Sequence, residues 1–212
     1  ELDTREGLFA HASRLVESDR TRKGVRNFFT EFLHLYELDH LSKDPTIFEQ
    51  FNEELGKDAM EETLSLIEYL VFDLEADYRE LMTTRETFIN PRLAAIYNIP
   101  APSPEGFAYA QLPDDAARSG LLGQVSFLAG HSHQVSSSAT LRGKAVRTIL
   151  LCQSIPAPPV DVDTSIPEPS GNALTLRDRV AEHLENPACS ACHLMTDPIG
   201  LALENFDSIG RW

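Results

Sequence analysis

Apolar side chains recur at helical spacing through the first hundred residues. Hydrophobic positions three and four residues apart predict an amphipathic helix over residues 20–37, and a shorter helix precedes it over residues 6–18. An aspartate followed by proline, a common helix start, predicts a helical segment over residues 44–51. A second apolar stripe predicts a long helix over residues 55–74, and a short helix is expected over residues 91–97. We therefore predict a helical bundle in this half of the chain.

We predict that the apolar faces of these helices are buried and that the acidic face of the long helix is exposed to solvent. Four large apolar residues are expected to belong to one continuous core that joins both halves of the chain: Phe28, Phe32, Ile67 and Val71. The acidic residues around the long helix are expected to line a solvated outer face, with a docking face as the alternative. These acidic residues are Glu53, Glu54, Asp58, Glu61, Glu62 and Glu68.

Prolines divide the chain near its middle. The segment 100–104 contains three prolines and predicts a rigid, extended spacer. This spacer places a domain boundary between a helical domain, residues 1–100, and a second domain, residues 101–212.

The second domain has weaker helical signals than the first. Alternating positions predict a short strand over residues 107–112, whereas residues 120–133 are apolar without clear periodicity. Helices are expected over residues 140–153 and 175–185. Between them, a proline-rich segment at 154–173 predicts a long surface loop.

A five-residue motif near the end of the chain carries the chemistry. Cys189-Ser190-Ala191-Cys192-His193 is the C-x-x-C-H pattern by which c-type haem is attached to a protein. Two intervening residues place the sulfurs about one helical turn apart, which matches the two vinyl groups of the porphyrin. The adjacent histidine then ligates the iron from the same side. The sequence therefore predicts one covalent haem c bound through Cys189, Cys192 and His193.

Two other interpretations of the cysteine pair are less well supported. A thioredoxin-like dithiol is typical of a βαβ context and needs no histidine after it. A structural zinc site needs four ligands, commonly from two such pairs, and the chain has only one pair. The expected fold is therefore mainly α, with a helical bundle packed on a small, loop-rich c-type haem subdomain.

The overall charge restricts the partners. With 33 acidic and 18 basic residues, the net charge is −15, which argues against nucleic acid and favours a basic partner protein. No apolar run approaches the length of a membrane span, so we expect none in this segment. Haem c is normally attached after export. We therefore expect a periplasmic or otherwise extracytoplasmic protein whose parent chain carries an export signal.

Several longer motifs resemble a family of planctomycete-type bacterial cytochrome-c-like multidomain proteins of unknown function. In the helical half the resemblance rests on Met60-Glu61-Glu62-Thr63 and on the segment 87–94. In the second half it rests on the segment 118–128, on Ser132-His133, on Arg142-Gly143-Lys144 and on the whole segment 189–212. The resemblance implies that the chain is part of a longer protein, so that other domains of the same parent chain are partners.

The second axial ligand of the iron decides between electron transfer and catalysis. Met195 lies two residues from His193 on the proximal side and is expected to be a wall residue. His133 matches the family's Ser-His pair and is the favoured distal ligand. Met60 is an alternative, although it also lies on an apolar stripe. A third possibility is that no protein side chain binds there.

Other residues are expected to contact the haem or its proximal ligand. The segment 197–200 predicts a tight turn in which Pro198 frees a backbone carbonyl that accepts a hydrogen bond from His193 Nδ1; an ordinary turn is the alternative. Arg142 or Arg118 is expected to pair with a haem propionate, with surface exposure as the alternative. Cys152 ends an apolar run and is expected to be a small buried residue.

These observations favour an exported monohaem cytochrome segment that transfers one electron within a larger redox protein or to a redox partner. An enzyme is the first alternative, namely a haem oxidase or peroxidase with an open distal site. The second alternative is a non-redox scaffold in which haem only stabilises the small subdomain.

Overall fold

The computed structural model describes residues 2–156, 175–185 and 187–212. Over these residues the chain forms eight α-helices and two short β-strands, which confirms the prediction of a mainly α fold. The helices are α1 (Arg5–Val16), α2 (Arg20–Phe32), α3 (Leu55–Glu68), α4 (Pro91–Tyr97), α5 (Val125–Gly130), α6 (Ala139–Ala145), α7 (Leu176–Glu185) and α8 (Pro187–Gly200). The strands are β1 (Glu86–Ile89) and β2 (Ala108–Gln111). None of the described helices is long and apolar enough to cross a membrane.

Shorter helical segments connect or extend these elements. A π-helical segment continues α3 and another continues α6, so the predicted helices over 55–74 and 140–153 are confirmed in their main parts. The 3-10 segments are Leu35–His40, Tyr78–Met82, Leu121–Gly123 and Leu201–Leu203, and the π segments are Tyr69–Asp73 and Val146–Leu150. From residue 157 onward, the predicted proline-rich loop lies outside the described residues.

Local capping explains why several predicted helices form. Asn90 accepts a hydrogen bond from the Leu93 amide at 3.0 Å, and proline occupies the next position, where its missing N–H costs nothing. The same helix, α4, ends at Asn98 in the left-handed conformation, with φ of 54°. Thr175 and Asp178 bond reciprocally at the start of α7, as in a capping box.

Two predicted helices differ from the structure. The helix expected over 20–37 ends at Phe32, because His34 adopts a left-handed conformation with φ of 56° and a 3-10 segment follows. Residues 44–51 form turns rather than a helix. The Asp44 carboxylate accepts hydrogen bonds from both the amide and the hydroxyl of Thr46, at 2.8 and 2.6 Å, which closes a local turn.

Two elements were not predicted. Strand β1 pairs antiparallel with β2, with Glu86 opposite Gln111 and Ile89 opposite Ala108, and it packs against α3. Helix α5 lies within the apolar segment 120–133, and five of its six residues are buried. A helix buried on all sides shows no amphipathic period, so the pattern could not distinguish it from other buried structure.

One hydrophobic cluster runs through both halves of the chain. Its buried members extend from Leu33 in the first half to Ile209 in the second. Of the four predicted core residues, however, only Ile67 is buried. Phe28, Phe32 and Val71 are 60%, 39% and 37% exposed. Helix α2 instead packs against the core through Val25 and Phe29, which lie on a different face of the helix.

The predicted solvated face of α3 is wrong at two acidic positions. Asp58 is 6% exposed, and its two carboxylate oxygens accept hydrogen bonds from Arg92 at 2.5 and 2.7 Å. Glu62 is completely buried and accepts hydrogen bonds from Thr87 and Tyr97. Burial raises the pKa of Glu62 to about 7. Both carboxylates have polar partners that come from distant positions in the sequence.

Candidate haem-attachment site

The C-x-x-C-H motif lies on helix α8. Cys189 and Cys192 are three residues apart on this helix, so their side chains lie on one face about one turn apart. Both thiols are partly exposed and neither forms a disulfide. The Cys192 Sγ lies 4.0 Å from the carbonyl oxygen of Pro156. The helix thus presents two reduced thiols and an adjacent imidazole in the geometry that the motif predicts.

Helix α8 continues through Pro198 to Gly200, so the predicted tight turn at 197–200 is wrong. Proline removes one backbone donor, but its fixed φ is compatible with a helix when neighbouring elements hold the chain. Helix α6 provides that support, since its contact with α8 is the most extensive between any two described elements. Pro198 itself is exposed on the outside of α8.

The carboxylate of Asp197 holds the imidazole of His193. The distance from His193 Nδ1 to Asp197 Oδ2 is 2.6 Å, and the two residues lie one helical turn apart. The sequence predicted a backbone carbonyl as the partner of this nitrogen, and the structure corrects it to a carboxylate. The reason is the helical conformation, which aligns side chains at i and i+4 and leaves no turn to supply the carbonyl.

Two hydroxyl groups fix Asp197 in turn. Thr140 Oγ1 and Thr196 Oγ1 donate to Asp197 Oδ1 at 2.9 and 3.0 Å. Asp197 is only 1% exposed, whereas His193 is 20% exposed. A chain of contacts therefore runs from α6 through a buried carboxylate to the imidazole of the motif. The spacing of four residues between histidine and aspartate was visible in the sequence, but it carries meaning only on a continuous helix.

Glycines allow α6 and α8 to approach closely enough for this arrangement. A Cβ atom at Gly143 would lie 1.9 Å from the carbonyl oxygen of Thr196, and one at Gly200 would lie 1.8 Å from that of Ala139. Neither neighbour can rotate away, because both are backbone atoms. The contact between Thr140 and Asp197 therefore depends on the absence of side chains at these two positions.

Arg142 is completely buried and fastens the C-terminal segment to α6. Its Nη1 donates to the carbonyls of Leu203 and Phe206, both at 2.8 Å. Its Nη2 donates to three more oxygens, including the Asp207 carbonyl at 2.7 Å and the Ser132 hydroxyl at 3.0 Å. The alternative of surface exposure is therefore wrong for Arg142, and its pairing with a haem propionate stays a prediction.

Arg118 is also buried rather than exposed. Its guanidinium donates to the carbonyls of Gly123 and Gly210. It stacks over the ring of Tyr97 at 3.9 Å from the centroid and over Phe206 at 4.8 Å. These contacts join the two halves of the chain through a cation–π arrangement.

His133 lies in a separate cavity of about 350 Å³ that four histidines line: His34, His40, His131 and His133. Burial lowers the pKa of His131 to about 4, and burial together with Lys43 lowers the pKa of His133. Lys43 donates to the backbone carbonyls of Ser132 and His133 at 3.0 and 2.9 Å. In the described part of the chain, no group of three or more His, Cys, Asp or Glu side chains is arranged to hold a metal ion.

The structure does not join His133 to the haem motif. As far as the chain is described, no residue of α8 lines the cavity that contains His133. Met60 is partly buried and packs against the hydrophobic core. The assignments of His133 and Met60 as distal ligands therefore stay predictions. Cys152 is exposed, so its predicted burial is wrong. It has φ of 52°, and one residue, Leu151, separates this left-handed position from the π segment that continues α6.

Comparisons with known proteins give two family matches. Residues 1–99 match the family described as PSD4, a protein of unknown function (DUF1592), and residues 118–212 match the family described as PSCyt3, a protein of unknown function (DUF1588). Both families are typical of planctomycete-type cytochrome-c-like multidomain proteins, whose function is unknown. No curated protein matches the chain, and no solved structure matches it either.

Proposed function

We propose that this chain is a monohaem c-type cytochrome segment that transfers single electrons within a larger exported redox protein. One observation carries the proposal. The helix that holds two reduced thiols one turn apart also holds an adjacent histidine, and a buried carboxylate orients its ring. The donor set fits haem c, since two thiols and one oriented imidazole are what that group requires.

Each residue of the motif has a defined task in this proposal. The Cys189 and Cys192 sulfurs would form thioether bonds to the two vinyl groups of haem, and each thiol proton would pass to the other carbon of the same vinyl group. Because Asp197 engages Nδ1 of His193, Nε2 is the nitrogen that would ligate the iron. When bound, the haem supplies an iron that cycles between the ferrous and ferric states.

His133 remains the proposed distal ligand. Burial and Lys43 lower the pKa of its imidazole, which favours the neutral form that binds iron. An iron with two protein ligands reorganises little when it gains or loses an electron, and this favours electron transfer over catalysis.

The charge of the chain indicates the type of redox partner. A net charge of −15 attracts a basic protein surface at long range, and added salt screens that attraction. We propose a basic redox protein or another domain of the parent chain as the electron partner. Because haem c is normally attached after export, we propose that this exchange takes place in the periplasm or another extracytoplasmic compartment.

A haem oxidase or peroxidase is the second candidate. The observation that favours it is the position of His133, because in the described part of the chain no residue of α8 shares its cavity. If His133 does not reach the iron, an open distal position can bind oxygen, peroxide or carbon monoxide.

Optical and redox titrations of the haem-loaded chain distinguish the two candidates. We expect a low-spin ferric spectrum and a reversible titration with one electron. His133→Gly should convert the spectrum to high-spin and open the iron to carbon monoxide. His40→Gly is the control, because His40 lines the same cavity and is not a proposed ligand. If the wild-type chain is already high-spin and consumes peroxide, the electron-transfer proposal is wrong and the oxidase or peroxidase candidate is favoured.

A further inference from the structure

We infer that Asp197 is a positioning residue that sets the reduction potential of the haem through His193, an inference that rests on the proposed function. Its Oδ2 lies 2.6 Å from His193 Nδ1, which leaves Nε2 as the nitrogen that would ligate the iron. A carboxylate in this place holds the ring orientation and makes the imidazole a stronger electron donor. A neutral backbone carbonyl would hold the ring without adding a charge.

The surroundings of Asp197 screen the interaction between its carboxylate and the His193 imidazole only weakly. Asp197 is 1% exposed, so water screens it poorly. Its Oδ1 accepts hydrogen bonds from the hydroxyls of Thr140 and Thr196, which are neutral donors. Among the residues that the structure describes, His193 is the one ionisable group in an ion pair with this carboxylate.

A stronger donor stabilises ferric iron more than ferrous iron, because ferric iron has the higher positive charge. The carboxylate is therefore expected to lower the midpoint potential. Thr140 works against this effect, since its hydroxyl draws electron density from the same carboxylate at 2.9 Å. Removing the charge and removing the hydroxyl should consequently shift the potential in opposite directions.

The test is an equilibrium redox titration of the haem-loaded chain and its variants. Asp197→Asn keeps the size of the side chain and an oxygen that accepts from Nδ1, but it loses the charge. We expect the reduction equilibrium to shift at least tenfold toward the ferrous form, which is about 59 mV for a one-electron couple. Thr140→Val should shift it by a smaller factor toward the ferric form.

Asp58→Asn is the matched control. Asp58 is also buried and ion-paired, but its partner is Arg92 and it lies on α3. This variant should leave the potential unchanged. Haem content is measured by mass for every variant, so each potential belongs to a loaded protein.

The outcomes separate this inference from the proposed function. Haem-loaded Asp197→Asn with the wild-type potential overturns the inference and leaves the proposed function intact. If Asp197→Asn and Thr140→Val shift the potential in the same direction, both substitutions only displace the His193 ring, and the inference is also overturned. If Asp197→Asn does not load haem, Thr140→Val alone tests the inference: a shift toward the ferric form supports it, and no shift or a shift toward the ferrous form overturns it. A wild-type chain without covalent haem overturns the proposed function, and the inference with it.

Discussion

Gly143→Ala should weaken the contact between α6 and α8 that supports the haem motif. The new Cβ would lie 1.9 Å from the carbonyl oxygen of Thr196, 2.6 Å from the carbonyl carbon and 3.1 Å from the Cα. Ordinary contact begins at 3.4 Å, so the helices must separate by about 1.5 Å in a close-packed region. The backbone of Thr196 offers no rotamer that relieves the clash.

The expected magnitude follows from two opposing effects. Overpacking a well-packed region costs about 1–3 kcal/mol, and the backbone clash places this variant at the upper end. Alanine is favoured over glycine in a helix by about 1 kcal/mol, which offsets part of the cost. We therefore expect the free energy of unfolding to fall by about 2 kcal/mol.

Gly24→Ala is the matched control for this prediction. Gly24 also lies within a helix, and a Cβ at this position would meet nothing within 4 Å. This variant should gain up to about 1 kcal/mol from helix propensity alone. Urea denaturation followed by circular dichroism measures both variants. If both substitutions stabilise the protein equally, α6 and α8 do not pack as closely as the structure indicates.

Two further predictions concern buried charged groups. Burial raises the pKa of Glu62 from 4.5 to about 7, so its stabilising contribution is fully present below pH 4.5 and is lost as the pH rises through 7. The free energy of unfolding should be about 2–3 kcal/mol lower at pH 8 than at pH 5 because of this group, and Glu62→Gln should remove the difference; an unchanged pH dependence would contradict the assignment. Arg142→Lys cannot reach the five oxygens that the guanidinium binds, and it should cost about 3 kcal/mol or more. Arg79→Lys, at a side chain that is 80% exposed, should change the unfolding free energy by less than about 0.5 kcal/mol and serves as its control.

Local signals in the sequence predicted the parts of the fold that depend on neighbouring residues. Asn90 as the cap and Pro91 as the first residue fix where α4 begins, and the C-x-x-C-H spacing places both thiols on one helical face. Burial of Asp58 and Glu62 depends instead on Arg92, Thr87 and Tyr97, which are 25–35 positions away. Charge alone made these acidic residues resemble surface residues, and no local pattern could show their partners.

The environment of His193 shows the same limit. Asp197 could be recognised as a neighbour only if the chain stays helical up to the residue before Pro198, which local rules disfavour. Its support from Thr140 comes from 57 positions earlier in the chain and needs the close approach at Gly143. The motif therefore identifies the ligand, whereas tertiary packing determines what surrounds it.

The mass of the denatured protein shows whether haem is covalently attached to the chain. The chain is produced in a host that exports it and has working cytochrome c maturation machinery, and Cys152→Ala serves as the control because this third thiol lies outside the motif. We expect the wild-type chain and Cys152→Ala to exceed the polypeptide mass by one haem, and Cys189→Ala with Cys192→Ala to lose it. A wild-type chain with the bare polypeptide mass would contradict the account.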